Sequence, residues 1–133
     1  MQEEPRMTDM LQIYKCEICG NVIEVLHTGK GQLVCCGEPM ALIEEKATDA
    51  GTEKHLPVVE KTGDMTIVVK VGDVPHPMID EHYIEWIEVV TKSYAERVFL
   101  SPGQEPKAEF ALNEAPVSVR SYCNVHGLWE KKL

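Results

Sequence analysis

Tyr14-Lys15-Cys16-Glu17-Ile18-Cys19-Gly20 is a Cys-x-x-Cys knuckle, and sixteen positions after Cys19 comes the vicinal pair of Cys35-Cys36-Gly37. Two thiolates at the first spacing reach one ion from a tight turn, with Gly20 relaxing the backbone behind them. Four thiolates together form a soft tetrahedral set that suits iron or zinc. The Cys-x-x-Cys alone is a weak signal, and the vicinal pair before glycine makes it much stronger. A purely structural zinc knuckle satisfies the same spacing. A thioredoxin-like redox pair would need a βαβ pattern around it, which the sequence lacks.

A second group of residues follows. Four of the five histidines have notable neighbours: Glu53-Lys54-His55-Leu56-Pro57, Pro75-His76-Pro77, Glu81-His82-Tyr83 and Cys123-Asn124-Val125-His126-Gly127. Pro75 and Pro77 restrict the backbone on both sides of His76 and favour an extended presentation. Cys123 and His126 lie three apart before a glycine, so a turn lets both face one ion. Cys123 is either a core thiol or a metal thiolate. His27 has no partner motif and is expected on the surface. If four neutral imidazoles and one thiolate shared a ferrous ion, the site would carry one net positive charge. The four-thiolate site would carry two negative ones, so a small anion would bind at the histidines and be repelled by the cysteines. Five protein ligands also leave a sixth octahedral position open, which marks a catalytic metal. A thiolate opposite that position would push electron density toward it.

The elements that must position these residues are short. Leu11 to about Met40 is Gly-punctuated, holds four of the five cysteines and is too small to build a core, so it needs a metal staple. Ala41 to Glu53 is a polar connection. Beyond it, Met65–Val71, His82–Val90, Ala95–Leu100, Lys107–Leu112 and Val117–Tyr122 are expected strands. They are separated by turn signals at Thr62-Gly63-Asp64, Ser101-Pro102-Gly103 and Asn113–Pro116. In His82–Val90, alternation puts Tyr83, Glu85, Ile87 and Val89 on one face. The pattern predicts an antiparallel sandwich or barrel with no amphipathic helix.

Bulk properties narrow the classes. The 133 residues carry a formal net charge of -9, which disfavours nucleic acid and anionic membrane as partners. Met1–Met10 is polar, lacks the apolar stretch of a secretory signal and is expected to be disordered. No apolar run reaches the ~18–20 residues of a membrane span, so a cytoplasmic location is expected. Cysteines in a reducing compartment point to metal or catalysis rather than disulfides, and five cannot all pair.

The segments YKCEICGNVIEV, LVCCGEPM, EKHLPV, HPM, HYIEWIE and YCNVHG, in that order, resemble desulfoferrodoxin, the two-iron class of superoxide reductases. The resemblance runs from about Leu11 to Trp129. It implies an all-β chain with a desulforedoxin-like domain over 11–45 and an immunoglobulin-like antiparallel β-sandwich over 46–133; the expected disordered extension over residues 1–10 is longer than the family's and departs from it. It implies two iron ions, one on Cys16, Cys19, Cys35 and Cys36. The other would sit on His55, His76, His82 and His126 in a plane, with Cys123 on the axis. The implied activity is reduction of superoxide to hydrogen peroxide by a homodimer that receives electrons from rubredoxin. Glu53 and Lys54 match the family's loop residues beside the open iron position. Lys54 is thereby implied to attract superoxide and help protonate the product, and Glu53 to ligate the oxidised iron and help displace peroxide. Two competing readings are a non-catalytic electron carrier working through the cysteine site and a zinc-stabilised binding module. Neither needs a charged pair directly before His55. A dismutase would need the same iron to oxidise superoxide as well, which a thiolate ligand disfavours.

Overall fold

A computed structural model describes residues 7–47, 55–72 and 76–133. Glu53 and Lys54 lie outside these residues. The chain divides into two compact units, Met1–Glu44 and Glu45–Leu133, and every regular element described is a β-strand.

In the first unit, β1 (Ile13–Lys15), β2 (Val22–Glu24) and β5 (Ala41–Ile43) form an antiparallel sheet in the order β2-β1-β5. β3 (Val34–Cys35) and β4 (Glu38–Pro39) form a separate hairpin. Ile13, Cys16 and Val25 are the unit's buried apolar side chains. Among the described residues this is a small set. Of the expected disordered extension over residues 1–10, residues 1–6 lie outside the described residues, and Met7 and Thr8 are tied to the unit. Met7 bridges to Lys30, and Thr8 N–H donates to Gly29 O at 2.9 Å while Gly29 N–H donates to Thr8 Oγ1 at 2.9 Å. This reciprocal pair satisfies backbone groups that a free tail would leave to water.

The second unit is an immunoglobulin-like sandwich. One sheet has the order β10-β7-β6, from β6 (Pro57–Lys61), β7 (Thr66–Val71) and β10 (Lys107–Ala111). The other has the order β12-β11-β8-β9, from β8 (Ile84–Val90), β9 (Ala95–Phe99), β11 (Ser118–Cys123) and β12 (Gly127–Lys132). All ladders are antiparallel. Period-two alternation sends Ile67, Val69 and Val71 inward from β7, and Ala108 and Phe110 inward from β10. They meet Ile84, Ile87, Val89, Val119 and Cys123 of the facing sheet.

Alternation fails at one place in β8. The ladder shifts between Tyr122, opposite Trp86, and Cys123, opposite Ile84. This bulge re-aims the strand start, so Ile84 rather than Glu85 joins Ile87 and Val89 in the core. The same shift accompanies a fully buried Cys123 at the end of β11.

The second face of the four-stranded sheet is buried at its centre, and it buries charges there. Glu88 is 0% and Arg120 1% exposed. They are cross-strand partners, as are Glu88 and Arg97. Arg120 donates to Glu88 through Nε at 2.6 Å and Nη2 at 2.5 Å, Arg97 Nη2 donates to the other carboxylate oxygen, and Arg120 Nη1 reaches Glu45 at 3.0 Å. Trp86 stacks on Tyr122 at 5.7 Å and lies under both guanidiniums. Paired in this way, the buried charges keep their partners.

Candidate metal centres

The first centre is built from two tight turns. Cys16 follows β1, and its N–H donates to Asn21 O at 2.8 Å while Gly20 N–H returns to Cys16 O at 2.9 Å. Gly20, at φ +84°, closes this knuckle. The second turn is the β3–β4 hairpin, whose two central residues are Cys36 (φ +55°) and Gly37 (φ +77°). Positive φ at both positions is the type I′ geometry that matches strand twist. The vicinal pair is therefore split by function: Cys35 ends a strand and Cys36 begins the turn.

Cys19 and Cys35 sulfurs stand 3.5 Å apart, Cys35 and Cys36 sulfurs 4.0 Å, and all four sulfurs lie within 4.8 Å of one another. A tetrahedron with ~2.3 Å metal–sulfur bonds has edges of roughly 3.8 Å, so the set fits one four-coordinate ion. Its protonation fits as well. The backbone N–H groups of Cys19 and Ile18 draw the Cys16 thiol down to about 6. The neighbouring sulfurs, Cys19 first, push Cys36 up to about 12. Four sulfurs this close cannot all be thiolates without a cation to balance them.

The second centre lies at one end of the sandwich, and strand direction explains why. In an antiparallel stack, the starts of β6, β8 and β12 and the end of β11 share an end. His55 precedes β6, His82 precedes β8, Cys123 ends β11 and His126 sits in the turn before β12, with His76 in the loop between β7 and β8. Their ligand atoms all lie within 4.8 Å of one another. His55 Nε2 is 3.1 Å from His126 Nδ1, and Cys123 Sγ is 3.9 Å from the same Nδ1. Two imidazole nitrogens bound at right angles to one ion, at ~2.1 Å each, stand about 3.0 Å apart. The donor set fits a single borderline metal such as iron. His76 Nδ1–H donates to Pro77 O at 2.8 Å, which fixes its tautomer and leaves Nε2 to ligate.

The structure thus brings together, in two clusters, nine residues the sequence singles out, and leaves His27 exposed beyond β2. Spacing does not reveal the residues that brace the second cluster. Asn124 accepts from Tyr83 N–H at 2.9 Å and donates to Glu81 O at 3.1 Å, clamping the Cys123–His126 turn to the His82 turn. Ser121 Oγ donates to His55 O at 3.3 Å, and the Trp129 indole stacks on the His55 ring at 4.7 Å. An asparagine inside the Cys-x-x-His turn was the only available signal, and it reads equally well as ordinary turn chemistry.

Comparison with known proteins agrees with both halves. Residues 47–132 match the family described as Desulfoferrodoxin, and residues 8–43 match Desulfoferrodoxin, N-terminal domain. A desulfoferrodoxin homolog of Archaeoglobus fulgidus is 57% identical over 124 residues, covering 93% of this chain and 98% of its own. The desulfoferrodoxin of Syntrophotalea carbinolica is 55% identical over 126 residues, covering 95% and 99%. Among solved structures, the superoxide reductase from Treponema pallidum superposes with a TM-score of 0.75 at 29% identity, over 92% of this chain and 98% of that one. With both domains matched and more than half of the residues shared with full-length relatives, this chain belongs to the desulfoferrodoxin family.

Proposed function

We propose that this protein is a superoxide reductase, converting superoxide to hydrogen peroxide with one electron and two protons. The observation that carries the reading is the convergence of four imidazoles and one buried cysteine sulfur at one end of the sandwich. The name of the Treponema pallidum protein supports it. His55, His76, His82, His126 and Cys123 would hold one iron, and Cys16, Cys19, Cys35 and Cys36 the other. Bound iron would supply a one-electron couple and a Lewis-acidic centre for a small anion.

The chain's own residues supply the rest. Neutral imidazoles leave the centre able to attract an anion, whereas four thiolates repel one. Pro77 O holds the His76 proton on Nδ1, and the backbone N–H of His126 donates to Cys123 Sγ at 3.4 Å, stabilising the thiolate. Lys54, one residue before His55, is assigned to drawing superoxide in and to delivering a proton. A unit charge pair ~4 Å apart is worth about 4 kcal/mol at an effective dielectric near 20. Glu53 is assigned to displacing the product. The reading includes a rubredoxin-type electron donor, a homodimer and a cytoplasmic location. Among the described residues, no helix is long and apolar enough to cross a membrane.

The test mixes fully reduced, iron-loaded protein with a known amount of superoxide and measures peroxide and dioxygen together. One peroxide per superoxide without dioxygen is expected. Dioxygen at half the superoxide consumed would mean dismutation, and no consumption above the spontaneous rate would leave an electron carrier. Lys54→Ala should slow superoxide capture with iron retained, and an unchanged second-order rate would remove its steering role.

A further inference from the structure

The segment that leads into the sandwich returns alongside its last strand. Lys46 N–H donates to Leu128 O at 2.9 Å and Glu130 N–H donates to Lys46 O at 2.8 Å, forming a parallel bridge opposite Trp129. This backbone pairing fixes the position of Lys46 whatever side chain it carries. The side chain then makes two contacts that an ordinary exposed lysine does not. Its Nζ donates to the carbonyl oxygen of His126 at 2.8 Å, and it lies over the Trp129 ring, 5.2 Å from the centroid. Trp129 is itself 5% exposed and stacked nearly parallel on His55, with 11° between the planes. One ammonium therefore reaches two of the four imidazoles, His126 through its backbone and His55 through the indole.

We infer that Lys46 is a positioning residue of the histidine–cysteine centre, bracing His55 and His126 and raising the centre's reduction potential through its fixed positive charge. The inference rests on the proposed redox iron at that centre. The direction follows from charge: a nearby cation favours the reduced ion, which carries one positive charge fewer. The size is set by exposure. Lys46 faces solvent, so water and salt screen it, and the effect is a few-fold rather than many decades. Outer residues that orient histidine ligands act in this way on metal sites generally. The cation–π contact adds a geometric role, because the ammonium holds the indole that packs on His55.

The experiment is a redox titration of full-length, iron-loaded protein without superoxide, following the absorption of the oxidised histidine–cysteine centre. Lys46→Met should lower the midpoint, changing the oxidised-to-reduced ratio at fixed potential about threefold, or ~28 mV at about 59 mV per decade. Lys46→Arg keeps a charge, a donor and a cation for the indole, and should restore most of the shift. Raised ionic strength should narrow the gap between wild type and Lys46→Met. An unchanged midpoint in Lys46→Met, or an equal drop in Lys46→Arg, would overturn the role. Because no superoxide is used, that failure would be distinct from failure of the reductase reading, which the peroxide assay tests separately.

Discussion

Removing the Glu88 carboxylate should unfold the sandwich at far milder conditions while leaving the cysteine centre's ligands untouched. Glu88 is 0% exposed and receives Arg120 through two nitrogens, at 2.6 and 2.5 Å, plus Arg97 through a third. In Glu88→Ala, Arg120 stays buried and keeps Glu45 as a carboxylate partner, at 3.0 Å and on a side chain 36% exposed. Breaking a buried pair from one side costs roughly 3–5 kcal/mol. Glu45 retains part of the compensation, so the lower end, about 3 kcal/mol, applies. For a unit of this size each kcal/mol moves Tm by ~4–8 °C, giving a fall of about 12–24 °C. Both tryptophans, Trp86 and Trp129, belong to the sandwich unit, so their fluorescence during urea unfolding reports on that unit alone. The control is Glu88→Met combined with Arg120→Met, which removes both charges at similar volume and should recover most of the loss. A loss below about 1 kcal/mol in Glu88→Ala, or no recovery in the double variant, would refute the argument that paired burial holds this face together.

Three further outcomes are expected. Asn124→Ala removes the two side-chain bonds that join the Cys123–His126 turn to the His82 turn and should weaken metal retention at the histidine centre by about 10–100-fold; chelator competition measures it, and unchanged retention would contradict the clamp. Cys123→Ser should abolish the thiolate-to-iron absorption of the oxidised histidine centre, and persistence of that band would place its sulfur elsewhere. Burial, aided by the neighbouring Glu45 carboxyl, pushes Glu130 up to about 7. The folded chain therefore holds this proton more tightly than the unfolded one, and the associated stability is complete below about pH 4.5 and lost as pH rises through about 7. Glu130→Gln should gain stability relative to wild type on going from pH 5 to pH 8, and parallel pH profiles would refute the assignment.

The ligand residues are legible because metal chemistry leaves short-range marks: a Cys-x-x-Cys knuckle, a vicinal pair before glycine, a Pro-flanked histidine and a Cys-x-x-His turn. The strongly apolar strand β7 is legible for a similar reason, since Ile67, Val69 and Val71 alternate with outward residues. β6 and β12 escape notice because Glu60–Lys61 and Glu130–Lys132 put charges where a strand signal would end. The bulge beside Cys123 is invisible to any local pattern, because it depends on how β8 and β11 register. The Glu88–Arg120–Arg97 cluster is hidden for a different reason. Each charge reads as a solvated face by itself, and only cross-strand pairing turns the three into an interior. Lys46 likewise carries no mark of its role, which arises from a parallel bridge to a strand more than eighty residues away.

The placement of every histidine-centre ligand at one end of the sandwich divides the second unit into a working end and a spare end. At the spare end lie the β6–β7 turn at Thr62–Met65, the β8–β9 turn at Thr91–Tyr94 and the β10–β11 link at Leu112–Val117, each separated from the ligands by the length of a strand. The β6–β7 turn closes on a local bond, Thr62 N–H to Thr66 O at 3.0 Å, whereas the other two are tied to each other: the Ser93 N–H donates to Glu114 Oε1 at 2.9 Å and the Asn113 N–H to Tyr94 Oη at 2.8 Å. Residues added at the β6–β7 turn therefore leave the register that sets the ligands least disturbed. That turn is the natural point for grafting an affinity tag, a fluorophore or a tether to an electrode, a strand's length from the ligands.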